Sequence, residues 1–151
     1  KKKKNKSTTR FFFKDFFTQR RGKYHKQFEP CWFGWGKTGV SFSKSRKLAN
    51  VWRIARPKRS DLHPTMKPIE LCDTAIKHSS TQGDIVLDIF LGSGSTLISC
   101  QKLNRICYGM ELDPKYVDVI IKRWQKYSGM VAIHLETGKT YQELYEQPIA
   151  E

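Results

Sequence analysis

The fold of this chain is decided by residues 84–96, which read DIVLDIFLGSGST. An apolar run of strand length at residues 85–87 ends in an acid, Asp88. Gly92 and Gly94 follow, and a helical pattern begins at Ser95. A strand, a glycine turn and a helix N-terminus in this order bring a ligand close to bare backbone, since glycine adopts φ angles that other residues avoid. The segment therefore predicts a ligand-binding turn.

A second acid lies at a suitable distance from this turn. Residues 105–111, RICYGME, read as the next strand and end in Glu111. A carboxylate about 20 residues beyond a glycine turn typically accepts hydrogen bonds from ribose hydroxyls. The spacing is not the GxGxxG of dinucleotide folds, because position 97 is Leu97. The pattern favours a ligand with a single nucleoside over NAD.

Three short boxes stand in order along the chain: HPTMKP at residues 63–68, DIFLGSGST at 88–96 and YGMELDPKY at 108–116. They resemble boxes of S-adenosylmethionine-dependent DNA amino-methyltransferases. Residues 88–96, DIFLGSGST, resemble the family's D-P-F-x-G-S-G-T-T box, with Ile89 in place of Pro and Ser95 in place of Thr. Residues 63–68, HPTMKP, resemble H-P-T-x-K-P, and residues 108–116, YGMELDPKY, resemble G-x-E-x-x-P-x-Y. Their order is similar to that of the β-type adenine-N6 or cytosine-N4 enzymes. The family's D-P-P-Y or N-P-P-Y tetrad is not present in this sequence.

The resemblance implies a fold, a cofactor and a reaction. The fold is α/β and Rossmann-like, a mostly parallel sheet with flanking helices, incomplete at the N-terminus. The cofactor is S-adenosyl-L-methionine, and the methyl acceptor is the exocyclic amino group of adenine or cytosine in DNA, as in restriction-modification systems. This chain would be the cofactor-binding C-terminal half, without a catalytic residue of its own. The cofactor-binding residues implied are Asp88, Phe90, Gly92, Gly94 and Glu111 near the adenosyl part, and Thr65 and Lys67 near the methionine part.

Positive charge is concentrated in the first part of the chain. Residues 1–60 contain 19 Lys or Arg and 2 Asp or Glu, a net charge of +17, whereas the whole chain carries +14. A basic segment beside a near-neutral one predicts contact with nucleic-acid phosphates, although a solvated surface explains a basic run equally well. Double-stranded DNA is the predicted partner. The predicted DNA contacts are Arg20, Arg21, Lys23, Lys37, Lys44, Arg46 and Lys47.

The organisation predicted has three parts: a disordered basic tail at residues 1–10, an aromatic-rich basic segment at 11–62 and the cofactor-binding domain at 63–146. Strands are expected at 27–35, 51–54, 85–87, 105–111 and 130–135. Helices are expected at 69–78, 95–103, 114–127 and 141–146. The phenylalanines at 11–13 and 16–17 are expected to be uncovered by a missing N-terminal part, which a separate chain with the catalytic tetrad could supply.

The four cysteines are far apart in sequence and lack zinc-ligand spacing, which predicts free thiols in a reducing compartment and no metal site. No apolar run approaches the length of a membrane span, and the predicted location is cytoplasmic. Other classes stay open. One is an inactive remnant or DNA-binding module with a vestigial pocket, another a nucleotide-dependent oxidoreductase, and a third an RNA or protein methyltransferase.

Overall fold

A computed structural model describes residues 6–18, 26–35, 49–55 and 66–146, with side chains from residue 28 onward. Five strands and four helices lie in these ranges. The strands are β1 (Lys6–Thr18), β2 (Lys26–Trp35), β3 (Val51–Arg53), β4 (Ile85–Asp88) and β5 (Ile106–Gly109). The helices are α1 (Ile69–Ser79), α2 (Ser95–Leu103), α3 (Pro114–Ser128) and α4 (Tyr141–Tyr145). Most predicted elements are thereby confirmed to within a few residues.

The first three strands form one sheet in the order β2-β1-β3. β1 runs antiparallel to β2 and parallel to β3. The predicted disordered tail is wrong for residues 6–10, which pair with residues 31–35 of β2, while residues 1–5 lie outside the described ranges. Backbone pairing with an aromatic-rich strand outweighs the polar composition of this stretch.

The second sheet contains β4 and β5, which are parallel and in register from Ile85↔Ile106 to Asp88↔Gly109. The alternation of strand and helix predicted this arrangement, since a helix between two strands allows them to run parallel. α2 packs on β5 and also contacts α1 and α3. The parallel sheet with helices on it is the α/β architecture that the sequence predicted, and the basic segment adds a separate sheet.

Burial is concentrated where the helices meet. Ile76 of α1, Ile98 and Cys100 of α2, and Ile120 of α3 are all buried. Ile120 is 5% exposed and lies beneath the glycine turn, where its side chain is 3.2 Å from the position that a Cβ on Gly94 would occupy. The core therefore supports the turn directly.

The opposite face of the β4–β5 sheet is apolar and exposed. Ile85 pairs with Ile106 and Leu87 pairs with Tyr108, and all four side chains are at least half exposed. The intervening Val86 and Cys107 point to the helical side and are half-buried, as period-two alternation requires.

The helix ends follow their sequence signals. Asp113 caps α3 by accepting a hydrogen bond from the N–H of Lys115 at 2.9 Å, with Pro114 in the first turn. Thr140 and Glu143 form a capping box at α4. The predicted strand at residues 130–135 is wrong: Ile133 forms only an isolated bridge with Thr140, because the chain turns back directly after it. No helix in the described ranges is long and apolar enough to cross a membrane.

Replacing Ile120 with Ala should lower the free energy of unfolding by about 2–5 kcal/mol, because it removes a buried side chain that lies against the glycine turn. Ile133→Ala is the matched control, since Ile133 is 58% exposed and its truncation should cost about 0.5 kcal/mol or less. Urea titrations followed by circular dichroism measure both. Equal losses for the two variants would contradict the packing described for Ile120.

Candidate functional site

The two predicted acids meet at the carboxyl edge of the parallel sheet. Asp88 is the last residue of β4, and its Oδ1 accepts a hydrogen bond from the N–H of Phe90 at 3.0 Å. Beyond the paired residues, Met110 N donates to the Asp88 carbonyl and Leu91 N donates to the Met110 carbonyl, both at 2.9 Å. The loops that follow β4 and β5 are thus held side by side.

The Glu111 carboxylate ties these two loops together. Its Oε2 accepts a hydrogen bond from the N–H of Gly92 at 2.7 Å, across 19 residues of sequence. Its Oε1 accepts from the N–H of Leu112 at 2.9 Å and of Asp113 at 3.1 Å. Hydrogen bonds to a charged acceptor are the stronger kind, so this carboxylate fixes both the glycine turn and the entry to α3.

Glycine is required at three positions in and beside the glycine turn, for two separate reasons. Gly92 and Gly94 have φ angles of 56° and 80°, which side chains with a Cβ rarely adopt. Gly109 at the end of β5 is needed for space, because a Cβ there would lie 2.6 Å from Leu91 Cδ2. The turn therefore lies directly on both β5 and α3.

Arg123 of α3 supports the turn from below. Its Nη1 donates a hydrogen bond to the carbonyl of Ser93, whose side chain is buried. Partial burial lowers the pKa of the Arg123 guanidinium. The charge satisfies a backbone acceptor in the turn and places a cation beneath it.

Lys67 reaches the same site from the segment before α1. The Ser95 hydroxyl, at the start of α2, donates to the Lys67 carbonyl at 2.9 Å. The Lys67 ammonium forms an ion pair with Glu29 of β2, with 2.7 Å between Nζ and Oε2. Sequence reasoning missed Glu29 because it lies 38 residues from Lys67 and no local pattern links them.

A cavity of about 210 Å³ lies against the glycine turn. An apolar cleft of about 310 Å³ adjoins it, and Cys72, Asp88 and Thr96 line both. Together they reach the size of typical small-ligand sites, about 300–1,000 Å³. The side chains and backbone around the smaller cavity belong to Lys67, Cys72, Asp88, Phe90, Leu91, Gly92, Ser93, Ser95 and Thr96.

The thiols near the site are poor nucleophiles. Burial raises the pKa of Cys72, an effect partly opposed by the hydrogen bond from the Thr96 hydroxyl. Burial beside Cys107 raises the pKa of Cys100 to about 12. All four cysteines are free, as the sequence predicted. The raised pKa of Cys72 therefore disfavours its thiolate form at the cavity wall.

The structure brings together most of the predicted cofactor-binding residues. Asp88, Phe90, Gly92 and Lys67 line the cavity, and the Phe90 ring is 84% exposed. Glu111 bonds the turn, and Gly94 is the N-cap of α2. Outside the described residues lie Thr65 and all the predicted DNA contacts: Arg20, Arg21, Lys23, Lys37, Lys44, Arg46 and Lys47.

The fold is Rossmann-like and α/β, because it combines parallel strands with a glycine turn at a helix N-terminus. The acids at the ends of both strands define a nucleoside-type site at this turn. Comparison with known proteins is more specific. The chain belongs to the DNA methylase family of N6/N4 amino-methyltransferases, whose model matches residues 1–123. This membership excludes the oxidoreductase that the glycine turn alone left open.

Individual relatives agree with this assignment. The chain is 38% identical over 88 residues to the Type II methyltransferase M.HpaI of Haemophilus parainfluenzae, an alignment that covers 56% of this chain and 28% of that protein. It is 38% identical over 80 residues to M.Cfr9I of Citrobacter freundii, covering 53% of this chain and 27% of that protein. The chain thus spans about a quarter of the length of these curated relatives.

A solved structure, the complex of M1.HpyAVI with SAM, has the same fold. It superposes with a TM-score of 0.66 and 28% identity, covering 79% of this chain and 61% of that one. The Rossmann-like methyltransferase fold that the sequence predicted is confirmed.

Replacing Glu111 with Gln should lower the free energy of unfolding by about 1–3 kcal/mol, since an amide group cannot accept from all three N–H donors and leaves at least one unsatisfied. Glu136→Gln, at an exposed position in the turn before α4, is the control. Denaturant titration measures the loss, and hydrogen exchange should show faster exchange of the Gly92 amide. An unchanged Gly92 amide in Glu111→Gln would show that this carboxylate does not hold the turn.

Proposed function

We propose that this chain is the S-adenosyl-L-methionine-binding part of a DNA methyltransferase that modifies the exocyclic amino group of adenine (N6) or cytosine (N4). The observation that carries the proposal is the glycine turn held by the Glu111 carboxylate at the carboxyl edge of the parallel sheet, with Asp88 in the wall of the adjoining cavity. Family membership and the cofactor complex of a structural relative support the same conclusion.

The residues at the turn fit the adenosyl part of this cofactor. The Glu111 carboxylate is a fixed acceptor beside the turn, suited to ribose hydroxyls. Gly92 removes a side chain where the ligand approaches the backbone, and the exposed Phe90 ring is available to an adenine face. Asp88 places negative charge at the cavity wall, where it favours the positively charged sulfonium.

The methionine part would lie beside Lys67, with the hydroxyl of Thr65 as a further contact. Ser95 holds the Lys67 backbone, so the lysine is positioned relative to the glycine turn. An ammonium group is the natural partner of the cofactor's α-carboxylate. When bound, the cofactor supplies an electrophilic methyl group on sulfur. This chain's residues bind and orient it.

DNA is the proposed second substrate. The net charge of +17 in residues 1–60 supports contact with phosphates, and segment 11–62 is the proposed contact region. The target base must leave the duplex to reach a cofactor held in a cavity. In a bacterial cell both DNA and cofactor are cytoplasmic, which is where we place the reaction.

Complete transfer needs groups that this chain does not contain. The tetrad that orients the amino group in related enzymes has no counterpart in this sequence. We propose that further polypeptide supplies it and covers the exposed face formed by Ile85, Leu87, Ile106 and Tyr108. The alternative is a catalytically inactive DNA-binding remnant, which the lack of the tetrad favours.

Calorimetric titration with S-adenosylmethionine tests the cofactor proposal. The parent chain should bind it, and Asp88→Asn should weaken binding about tenfold or more, because the amide removes the negative charge from the cavity wall. Asp84→Asn is the matched control: Asp84 lies before the other end of β4, and its carboxylate accepts hydrogen bonds from the N–H and the hydroxyl of Thr81. No binding by the parent chain would contradict the proposal.

Fluorescence anisotropy with a labelled duplex tests the DNA proposal. The logarithm of affinity should fall linearly with the logarithm of salt concentration, by about 0.9 per phosphate bound. Joint replacement of Arg20, Arg21 and Lys23 with Ala should make this slope shallower, by about 1 for each phosphate that the variant no longer neutralises. Joint replacement of the exposed Lys77, Lys126 and Lys139 removes the same charge elsewhere and should leave the slope unchanged. If the salt dependence of affinity had the same slope in both variants, DNA would bind through another surface.

A further inference from the structure

An ion pair links the basic segment to the wall of the cavity. Glu29 of β2 and Lys67 approach to 2.7 Å, although 38 residues separate them. Their side chains are 37% and 55% exposed, respectively. An ion pair this exposed contributes only about 0–1 kcal/mol to stability, so separating these two charges costs little.

Glu29 is unusual in its surroundings. Residues 1–60 contain only two acids, Asp15 and Glu29, among 19 basic residues. One of the two is directed at the lysine that lines the cavity. A lone ammonium in this basic chain would attract any anion, phosphate included. The carboxylate of Glu29 offsets the charge of Lys67, which disfavours simple anions relative to a ligand with both signs of charge.

We infer that Glu29 and Lys67 together bind the zwitterionic amino-acid end of the cofactor. This inference rests on the function proposed above and adds a residue to it. Lys67 donates to the α-carboxylate, and Glu29 accepts from the α-ammonium. Each charge exchanges a protein partner for a ligand partner, so neither is left unpaired.

The location of the pair agrees with this role. The Ser95 hydroxyl fixes the Lys67 backbone against the first residue of α2, and Ser95 itself lines the cavity. Glu29 arrives from a different sheet, beside Cys31 and Trp32 of the adjoining cleft. β2 thereby contributes to cofactor binding as well as to the basic segment.

Two ligands separate this role from a structural one. S-adenosylhomocysteine has the amino-acid end, and 5′-methylthioadenosine has the adenosyl part without it. Glu29→Gln and Lys67→Met should each weaken the binding of S-adenosylhomocysteine about tenfold or more, as measured by calorimetry. This is the loss expected when a charged hydrogen bond is removed. Both variants should bind 5′-methylthioadenosine as the parent does. Lys102→Met breaks the ion pair with Asp73 elsewhere on the surface and should leave the affinity for both ligands unchanged.

A third ligand assigns the two charges separately. Decarboxylated S-adenosylmethionine retains the amine and lacks the carboxylate, so its binding should depend on Glu29 and no longer on Lys67. Equal weakening of all ligands by Glu29→Gln would show that the ion pair only holds β2 in place and would overturn the inference. The inference would also be overturned if Glu29→Gln and Lys67→Met bound S-adenosylhomocysteine as tightly as the parent chain does. A parent chain that binds none of these ligands would instead contradict the proposed function itself.

Discussion

The whole site depends on one carboxylate that accepts backbone hydrogen bonds from two loops. Glu111 joins the N–H of Gly92 to those of Leu112 and Asp113, and so fixes the turn after β4 relative to the start of α3. Backbone hydrogen bonds at Asp88 and Met110 already hold the two loops side by side, and the carboxylate adds the link between the glycine turn and α3. The same group is at once a structural bridge and the proposed ligand acceptor, so binding would add to interactions that already exist.

Local patterns predicted the fold well, and long-range interactions could not be read from them. The apolar run before Asp88, the two glycines and the Asp113–Pro114 cap each specify structure within a few residues, and the structure contains all of them. Residues 6–10 were expected to be disordered because their composition is polar, but pairing with β2 decides their structure. The ion pair between Glu29 and Lys67 spans 38 residues, and only a folded chain shows it.

In the proposed function, charge is divided between recognition of DNA and recognition of the cofactor. The basic segment suits phosphates, whereas the cavity is lined by Asp88 and by a lysine whose charge Glu29 balances. A cavity lined by a lysine without a balancing carboxylate would bind phosphate groups as readily as an amino acid. Balancing the charge locally allows a strongly basic protein to keep a binding site for a ligand with both signs of charge.

The main packing contacts within residues 66–146 join elements that are adjacent or next but one along the chain. α1 meets α2, β4 pairs with β5, and α2 lies against β5 and α3. Such short sequence separations lower the loop-closure entropy of folding and favour rapid formation of the unit. Contacts that span the chain, such as the ion pair between Glu29 and Lys67, close a longer loop and so carry a larger entropic cost of closure.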